Sequence, residues 1–154
     1  MTDPPVEGEI AITRVYDAPR ELVWRAWTEP ERLAAWWGRR GWNAVLSSIE
    51  IDLRPGGVFR VTTVNEADGA QMTTSGVYRE VVEPERLVFA DPDRPGAVGS
   101  VVLTDLGGGR TEMRFRAGVR MGALLRERAA AGVASAFDRL AEHLTAPTST
   151  RGER

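Results

Sequence analysis

The sequence predicts an α+β protein in which a curved antiparallel sheet of six to seven strands wraps around a long C-terminal helix, with two short helices after the first strand. The segment from Met121 to Leu144 contains no proline and is rich in Ala, Leu, Arg and Glu, which predicts a helix of about six turns. Between Ala44 and Ala117, segments of alternating polarity are separated by short turn sequences. Connections this short require antiparallel neighbours.

The N-terminal part predicts one strand and two short helices. Residues Glu9 to Tyr16 alternate in polarity and predict the first strand. Helices are predicted from Pro19 to Trp27 and from Pro30 to Trp37, the second opened by a capping box of Thr28 and Glu31. Helices this short are stable only when their large side chains are buried. The rings they carry are those of Trp24, Trp27, Trp36 and Trp37.

The middle of the chain predicts six further strands with one apolar face. Phe59, Val61 and Thr63 alternate with more polar neighbours, as expected for a sheet that packs on one side only. Turn sequences such as Arg54-Pro55-Gly56-Gly57 separate the strands. The predicted strands are Ala44 to Leu53, Val58 to Asn65, Gln71 to Val82, Arg86 to Ala90, Ser100 to Leu106 and Thr111 to Ala117.

One face of the C-terminal helix is apolar, and we expect it to be buried against the sheet. The middle of this face carries only small side chains, which indicates either close approach of another backbone or an empty cavity. Both interpretations stay open at this point. The face consists of Leu125, Ala129, Gly132, Val133, Ala136, Phe137, Leu140 and Leu144.

Length and composition predict one domain, residues 8–146, with flexible tails at 1–7 and 147–154. The net charge of −2 is spread along the chain, so we expect no nucleic-acid partner. The sequence has no cysteine and one histidine, His143, and we expect no metal site, no cofactor and no catalytic residue. His143 lies in the last helical turn, where a cation is favourable. No apolar run predicts a membrane span, so a cytoplasmic protein is expected.

Three segments together carry a family resemblance. DAPRELVWRAWTEPERLAAWWG at Asp17 to Gly38, RPGGVFRV at Arg54 to Val61 and FDRLAEHL at Phe137 to Leu144 resemble bacterial proteins related to the activator of heat-shock-protein ATPase. This AHSA-type family lies within the START-like SRPBCC superfamily. The resemblance implies the helix-grip fold, with a ligand-sized cavity between sheet and helix. The family often carries Trp where this sequence has Val133, a departure that would enlarge or reshape the space beside the helix.

Three functions are compatible with these features. The first is binding of a small hydrophobic or amphipathic ligand in the cavity, without catalysis. The second is a cyclase- or aromatase-like enzyme that uses the same cavity, and the third is a co-chaperone-like interaction domain, suggested by the family resemblance. We expect no membrane partner, and a homodimer stays open.

The candidate ligand-binding residues are mainly aromatic. Tyr78 adds a phenol that needs a hydrogen-bond partner when buried. Arg126, at the edge of the apolar helix face, is a candidate for gripping a carboxylate or enolate. The cavity is expected to face Phe59, Tyr78, Phe89 and Met113. The full set is Trp37, Trp42, Phe59, Tyr78, Phe89, Met113, Phe115, Arg126, Val133 and Phe137.

Overall fold

A computed structural model describes residues 4–94 and 97–145 and shows one antiparallel sheet, two short helices and one long helix. The strands are β1 (Val6–Tyr16), β2 (Trp42–Ala44), β3 (Glu50–Ile51), β4 (Val58–Asn65), β5 (Gln71–Val82), β6 (Arg86–Ala90), β7 (Val98–Gly107) and β8 (Arg110–Met121). The helices are α1 (Arg20–Thr28), α2 (Pro30–Ala34) and α3 (Ala123–Thr145).

The sheet order is β1-β8-β7-β6-β5-β4-β2, and the short β3 also pairs with β4. The sheet curls around α3, which confirms the predicted helix-grip fold. Helix α3 is fastened to β1: Arg14 forms a 2.6 Å ion pair with Asp138, and the Tyr16 hydroxyl donates to the Phe137 carbonyl at 3.1 Å. Burial raises the pKa of Tyr16, so this hydroxyl keeps its proton. The helix therefore lies nearer one side of the curved sheet.

Strands β4, β5 and β6 have the predicted limits, but the strand predicted from Ala44 to Leu53 is wrong. A 3-10 turn at Leu46–Ser48 interrupts it and leaves only β2 and β3. The Ser48 hydroxyl explains the interruption, since it donates to the Val45 carbonyl at 2.6 Å and accepts from the Thr62 amide at 3.0 Å. This side chain replaces part of the backbone ladder.

Two predicted features near the N-terminus are also wrong. β1 begins at Val6, inside the segment predicted to be a tail, because it pairs with β8 up to Met121. Thr28 does not cap α2: it ends α1, and its hydroxyl donates to the Trp24 carbonyl at 2.9 Å. Residues 147–154, the predicted C-terminal tail, lie outside the described residues.

Three of the four tryptophans predicted for the two short helices lie in the core, but the predicted end of the second helix at Trp37 is wrong, because α2 ends at Ala34 and Trp36 and Trp37 follow it. Trp24, Trp27 and Trp36 are buried. The Trp36 indole donates to the Ala26 carbonyl at 2.9 Å, and the Trp27 indole lies 3.4 Å from the Met113 sulfur. The buried indole N–H groups of Trp27 and Trp36 thus each have an acceptor, which fixes these two rings in place.

Burial along α3 follows the prediction in its second half only. Ala136, Phe137 and Leu140 are buried, whereas Leu125 is 56% exposed. The predicted burial of the whole apolar face is therefore wrong for the first half of the helix. None of the helices in residues 4–94 and 97–145 is long and apolar enough to cross a membrane.

His143 is half-buried near the end of α3, and its environment disfavours a cation there. Burial lowers its pKa, and the nearby positive charge of Arg32 lowers it further. Both effects act against the cation that was expected at this helix end.

We predict that His143 makes the protein less stable as the pH falls below about 6.5, the ordinary histidine value. The unfolded chain then takes up a proton that the folded protein, with its lowered pKa, resists. The urea midpoint of the wild type should decline between about pH 6.5 and 5, whereas that of His143→Gln should decline less. Equal slopes for both proteins would contradict this account.

Candidate functional site

A cavity of about 560 Å³ lies between the first half of α3 and the far side of the curved sheet. This volume is within the range of small-molecule sites, roughly 300–1,000 Å³. Its walls come from α1, the segment after α2, β2, β4, β5, β8 and α3. The lining residues are Trp27, Trp36, Trp37, Gly38, Arg39, Trp42, Thr63, Met72, Thr74, Phe115, Leu125, Arg128, Ala129, Gly132, Val133, Ala136 and Phe137.

The inner end of the cavity is formed by closely packed aromatic rings. The ring centroids of Trp27 and Trp36 are 4.9 Å apart, and those of Trp36 and Trp37 are 5.6 Å apart. Phe115 packs against Phe137 at 5.3 Å with nearly perpendicular ring planes. Edge-to-face contacts of this kind hold rings in fixed positions, so this surface is preformed.

The small residues of α3 form the helix side of the cavity. Ala129, Gly132, Val133 and Ala136 all line it. Of the two interpretations of this small-residue face, the structure shows empty space rather than close backbone packing. The gap exists because α3 is fastened to β1 through Arg14, leaving room on the side of β4 and β5.

The cavity opens to solvent between β5 and the first turns of α3. Met72 and Leu125 line this opening and are 55% and 56% exposed. Thr74, Arg39 and Arg128 are the exposed polar residues in the lining. We refer to Arg39, Met72, Thr74, Leu125 and Arg128 as the mouth. The exposure of Leu125 therefore follows from its position at this opening.

The segment from Trp37 to Trp42 forms one wall of the cavity and is hydrogen-bonded to α3. Arg139 donates to the carbonyls of Gly38 and Trp42, both at 2.9 Å. The Arg40 amide donates to the Ser135 hydroxyl at 3.0 Å. Burial, followed by repulsion from Arg40, lowers the pKa of Arg139 from its ordinary value. Arg139 is a donor only, and the two carbonyls satisfy it without a carboxylate.

We predict that Arg139→Met lowers the free energy of unfolding by about 1–2 kcal/mol, because it removes charged hydrogen bonds to two carbonyls that remain partly buried. Methionine keeps a similar apolar stem, so packing changes little. The measurement is urea unfolding of both proteins at one pH. Binding of apolar probes should also weaken, since the wall loses its attachment.

Arg40→Met provides the matched control on the same segment. Arg40 forms an exposed ion pair with Glu142, which lowers the pKa of that carboxyl. Exposed ion pairs contribute little to stability, so this variant should unfold nearly like the wild type. Equal losses for the two variants would contradict the role assigned to Arg139.

The structure brings together half of the candidate ligand residues and separates the others from the cavity. Trp37, Trp42, Phe115, Val133 and Phe137 line it. Phe59, Phe89, Tyr78 and Met113 do not, contrary to the expectation that the cavity faces them. Phe59 lies one layer behind, with its ring 5.3 Å from that of Trp37 and 6.1 Å from those of Tyr78 and Phe89.

Tyr78 is buried in this second layer, with 2% of its surface exposed. Its hydroxyl has no hydrogen-bond partner among the described residues, and burial raises its pKa. The phenol therefore stays protonated, away from the cavity lining.

Arg126 does not lie at the mouth, contrary to the expectation from the helix pattern. Its guanidinium packs against Gly8 of β1, where an added Cβ would overlap it. The reason is that the side of α3 carrying Leu125, Arg128 and Gly132 faces the cavity, which turns Arg126 toward β1.

Several lining residues were absent from the sequence-based set. Trp27 and Trp36 were expected in the core, and they line the cavity as well. Arg128 follows Leu125 by three positions, so the helical period could have indicated it. Arg39 and Met72 come from a turn and a strand end, where no periodic pattern marks a residue as facing a cavity. The remaining residues are Gly38, Thr63 and Thr74, together with Leu125, Ala129, Gly132 and Ala136 of the apolar helix face, whose three small members had indicated a cavity.

Comparisons with known proteins agree with this architecture. The family model described as "Activator of Hsp90 ATPase homolog 1-like protein" matches residues 17–145. A crystal structure from Chromobacterium violaceum is 27% identical, with a TM-score of 0.77 over 91% of this chain and 99% of that one. An AHSA1-like protein from Aeromonas hydrophila is 22% identical, with a TM-score of 0.77 over 95% of this chain and 100% of that one. No curated protein matches the sequence.

Proposed function

We propose that this chain, which belongs to the Activator of Hsp90 ATPase homolog 1-like family, binds a small hydrophobic or amphipathic molecule between the sheet and α3. The observation that carries the proposal is the cavity of about 560 Å³ lined mainly by aromatic and aliphatic side chains. Binding removes apolar ligand surface from water, which contributes roughly 25 cal/mol per Å² before the cost of association.

The chemistry of the lining supports binding rather than catalysis. General acid–base catalysis needs a group that gains or loses a proton near the operating pH. The lining residues include no histidine, aspartate or glutamate in the part of the chain that the structure describes. Their polar side chains are Arg39, Arg128, Thr63 and Thr74, together with the tryptophan indoles. These groups can orient a ligand, while the apolar walls supply affinity.

The experiment is a fluorescence titration with phenylnaphthylamine, an uncharged aromatic probe whose emission rises in an apolar site. We expect saturable binding of one probe per chain, with a dissociation constant on the order of 10 µM. Native mass spectrometry of the freshly purified protein would show in parallel whether a small molecule accompanies it. A fluorescence signal that rises linearly without saturating, together with a mass spectrum that shows no bound small molecule, would contradict the proposal.

A further inference from the structure

Two of the residues at the mouth of the cavity are arginines. Arg39 comes from the segment after α2 and Arg128 from α3, so two different elements each bring an arginine to the cavity lining. No carboxylate is among the lining residues of the described chain. The entrance is therefore positively charged, although the protein as a whole has a net charge of −2.

Half of the arginines in the described residues form ion pairs, and the two at the mouth belong to the other half. Nine arginines within residues 4–94 and 97–145 form ion pairs with carboxylates. Arg39 and Arg128 have no such partner among the same residues. Their donors thus remain available for an anion that approaches the mouth.

Arg39 is positioned by its surroundings. The flanking carbonyl of Gly38 accepts from Arg139 at 2.9 Å, and the next amide, that of Arg40, donates to Ser135 at 3.0 Å. The Arg39 side chain crosses α3 at Gly132, where an added Cβ would lie 3.3 Å from Nε and 3.4 Å from Cζ. Glycine is unfavourable within a helix, and here it leaves room for the guanidinium.

We infer that the ligand is an amphiphilic acid, whose apolar part fills the cavity and whose oxyanion lies between Arg39 and Arg128. This inference rests on the proposed function and adds the chemical class of the ligand. Guanidinium groups bind carboxylate, sulfonate and phosphate oxygens through paired, charge-assisted hydrogen bonds. The positive mouth selects such a group, and the aromatic walls accept the remainder of the molecule.

The test compares two probes that differ by one charge: anilinonaphthalene sulfonate and uncharged phenylnaphthylamine. The wild type should bind the sulfonate more tightly than the neutral probe, roughly 5- to 20-fold in dissociation constant at low salt. The double variant Arg39→Gln, Arg128→Gln should lose this preference and bind the two probes with similar affinity. Added salt should reduce the preference in the wild type only.

The matched control is the double variant Arg79→Gln, Arg110→Gln. Both residues are exposed and lie outside the cavity lining, and their replacement changes the net charge equally. This control should keep the wild-type preference. A preference that falls equally in both double variants would overturn the inference, because it would show a general charge effect.

Further outcomes separate the two proposals and the source of the anion. Equal affinities of the wild type for the two probes would overturn the inference that the ligand is an amphiphilic acid, but not the proposal of ligand binding. If neither probe binds, both the inference and the proposed function are overturned. A lipid headgroup offers the same oxyanion chemistry from a membrane. We expect the protein to stay in the supernatant when phosphatidylglycerol vesicles are sedimented. If the protein sediments with the vesicles and this depends on Arg39 and Arg128, the anion belongs to a membrane lipid, and the inference of a free amphiphilic ligand is overturned.

Discussion

Trp36→Ala is expected to lower the free energy of unfolding by about 3–5 kcal/mol, the typical cost of deleting a large buried ring. Trp36 is fully buried and contacts the rings of Trp27, Trp37 and Phe137. Its removal also leaves the Ala26 carbonyl without its 2.9 Å donor. Because domains of this size are stable by only about 5–15 kcal/mol, urea unfolding should show a large shift.

Trp42→Ala is the control for this substitution. Trp42 is half-buried in the cavity wall, so the alanine removes less packing. We expect a loss of less than about 2 kcal/mol. Similar losses for the two variants would contradict the conclusion that the rings at the inner end of the cavity are fixed by the core.

Val133→Trp is expected to abolish most probe binding with little loss of stability. Val133 is half-buried and lines the cavity, so an indole at this position can extend into the empty volume. We expect at least a tenfold weaker affinity for phenylnaphthylamine and a change in unfolding free energy below about 1 kcal/mol. Tight packing at this position would instead cost about 1–3 kcal/mol through overpacking.

Ala131→Trp is the matched variant on the same helix. Ala131 is exposed and is not a lining residue, so the same indole lies outside the cavity. Probe affinity should stay at the wild-type value. Loss of binding in both variants would indicate a general disturbance of α3, and unchanged binding in Val133→Trp would place the probe elsewhere.

The sequence predicted the elements whose pattern is local and regular. β4, β5 and β6 and the long α3 follow directly from the alternation of polarity and the helical period. The prediction failed where one side chain redirects the backbone, as Ser48 does between β2 and β3. Single hydrogen bonds of this kind have no periodic signature.

The candidate site was predicted in part, and the reason is geometric. The small residues of α3 indicated empty space, and Val133 and Phe137 face it. The opposite wall depends on how α3 is displaced toward β1, which Arg14 and Tyr16 determine through contacts across more than a hundred residues. Phe59 and Tyr78 therefore lie behind the wall, and Arg128 rather than Arg126 stands at the mouth.

The most direct test of the cavity as a binding site uses the indole N–H signals of the five tryptophans in a nitrogen-correlated NMR spectrum. Trp37 and Trp42 line the cavity, whereas Trp24 is buried outside it and serves as an internal control. On titration with phenylnaphthylamine, the Trp37 and Trp42 signals should shift saturably with the dissociation constant found by fluorescence, and the Trp24 signal should stay in place. Unmoved Trp37 and Trp42 signals during saturable binding would contradict the assignment of the cavity as the ligand site.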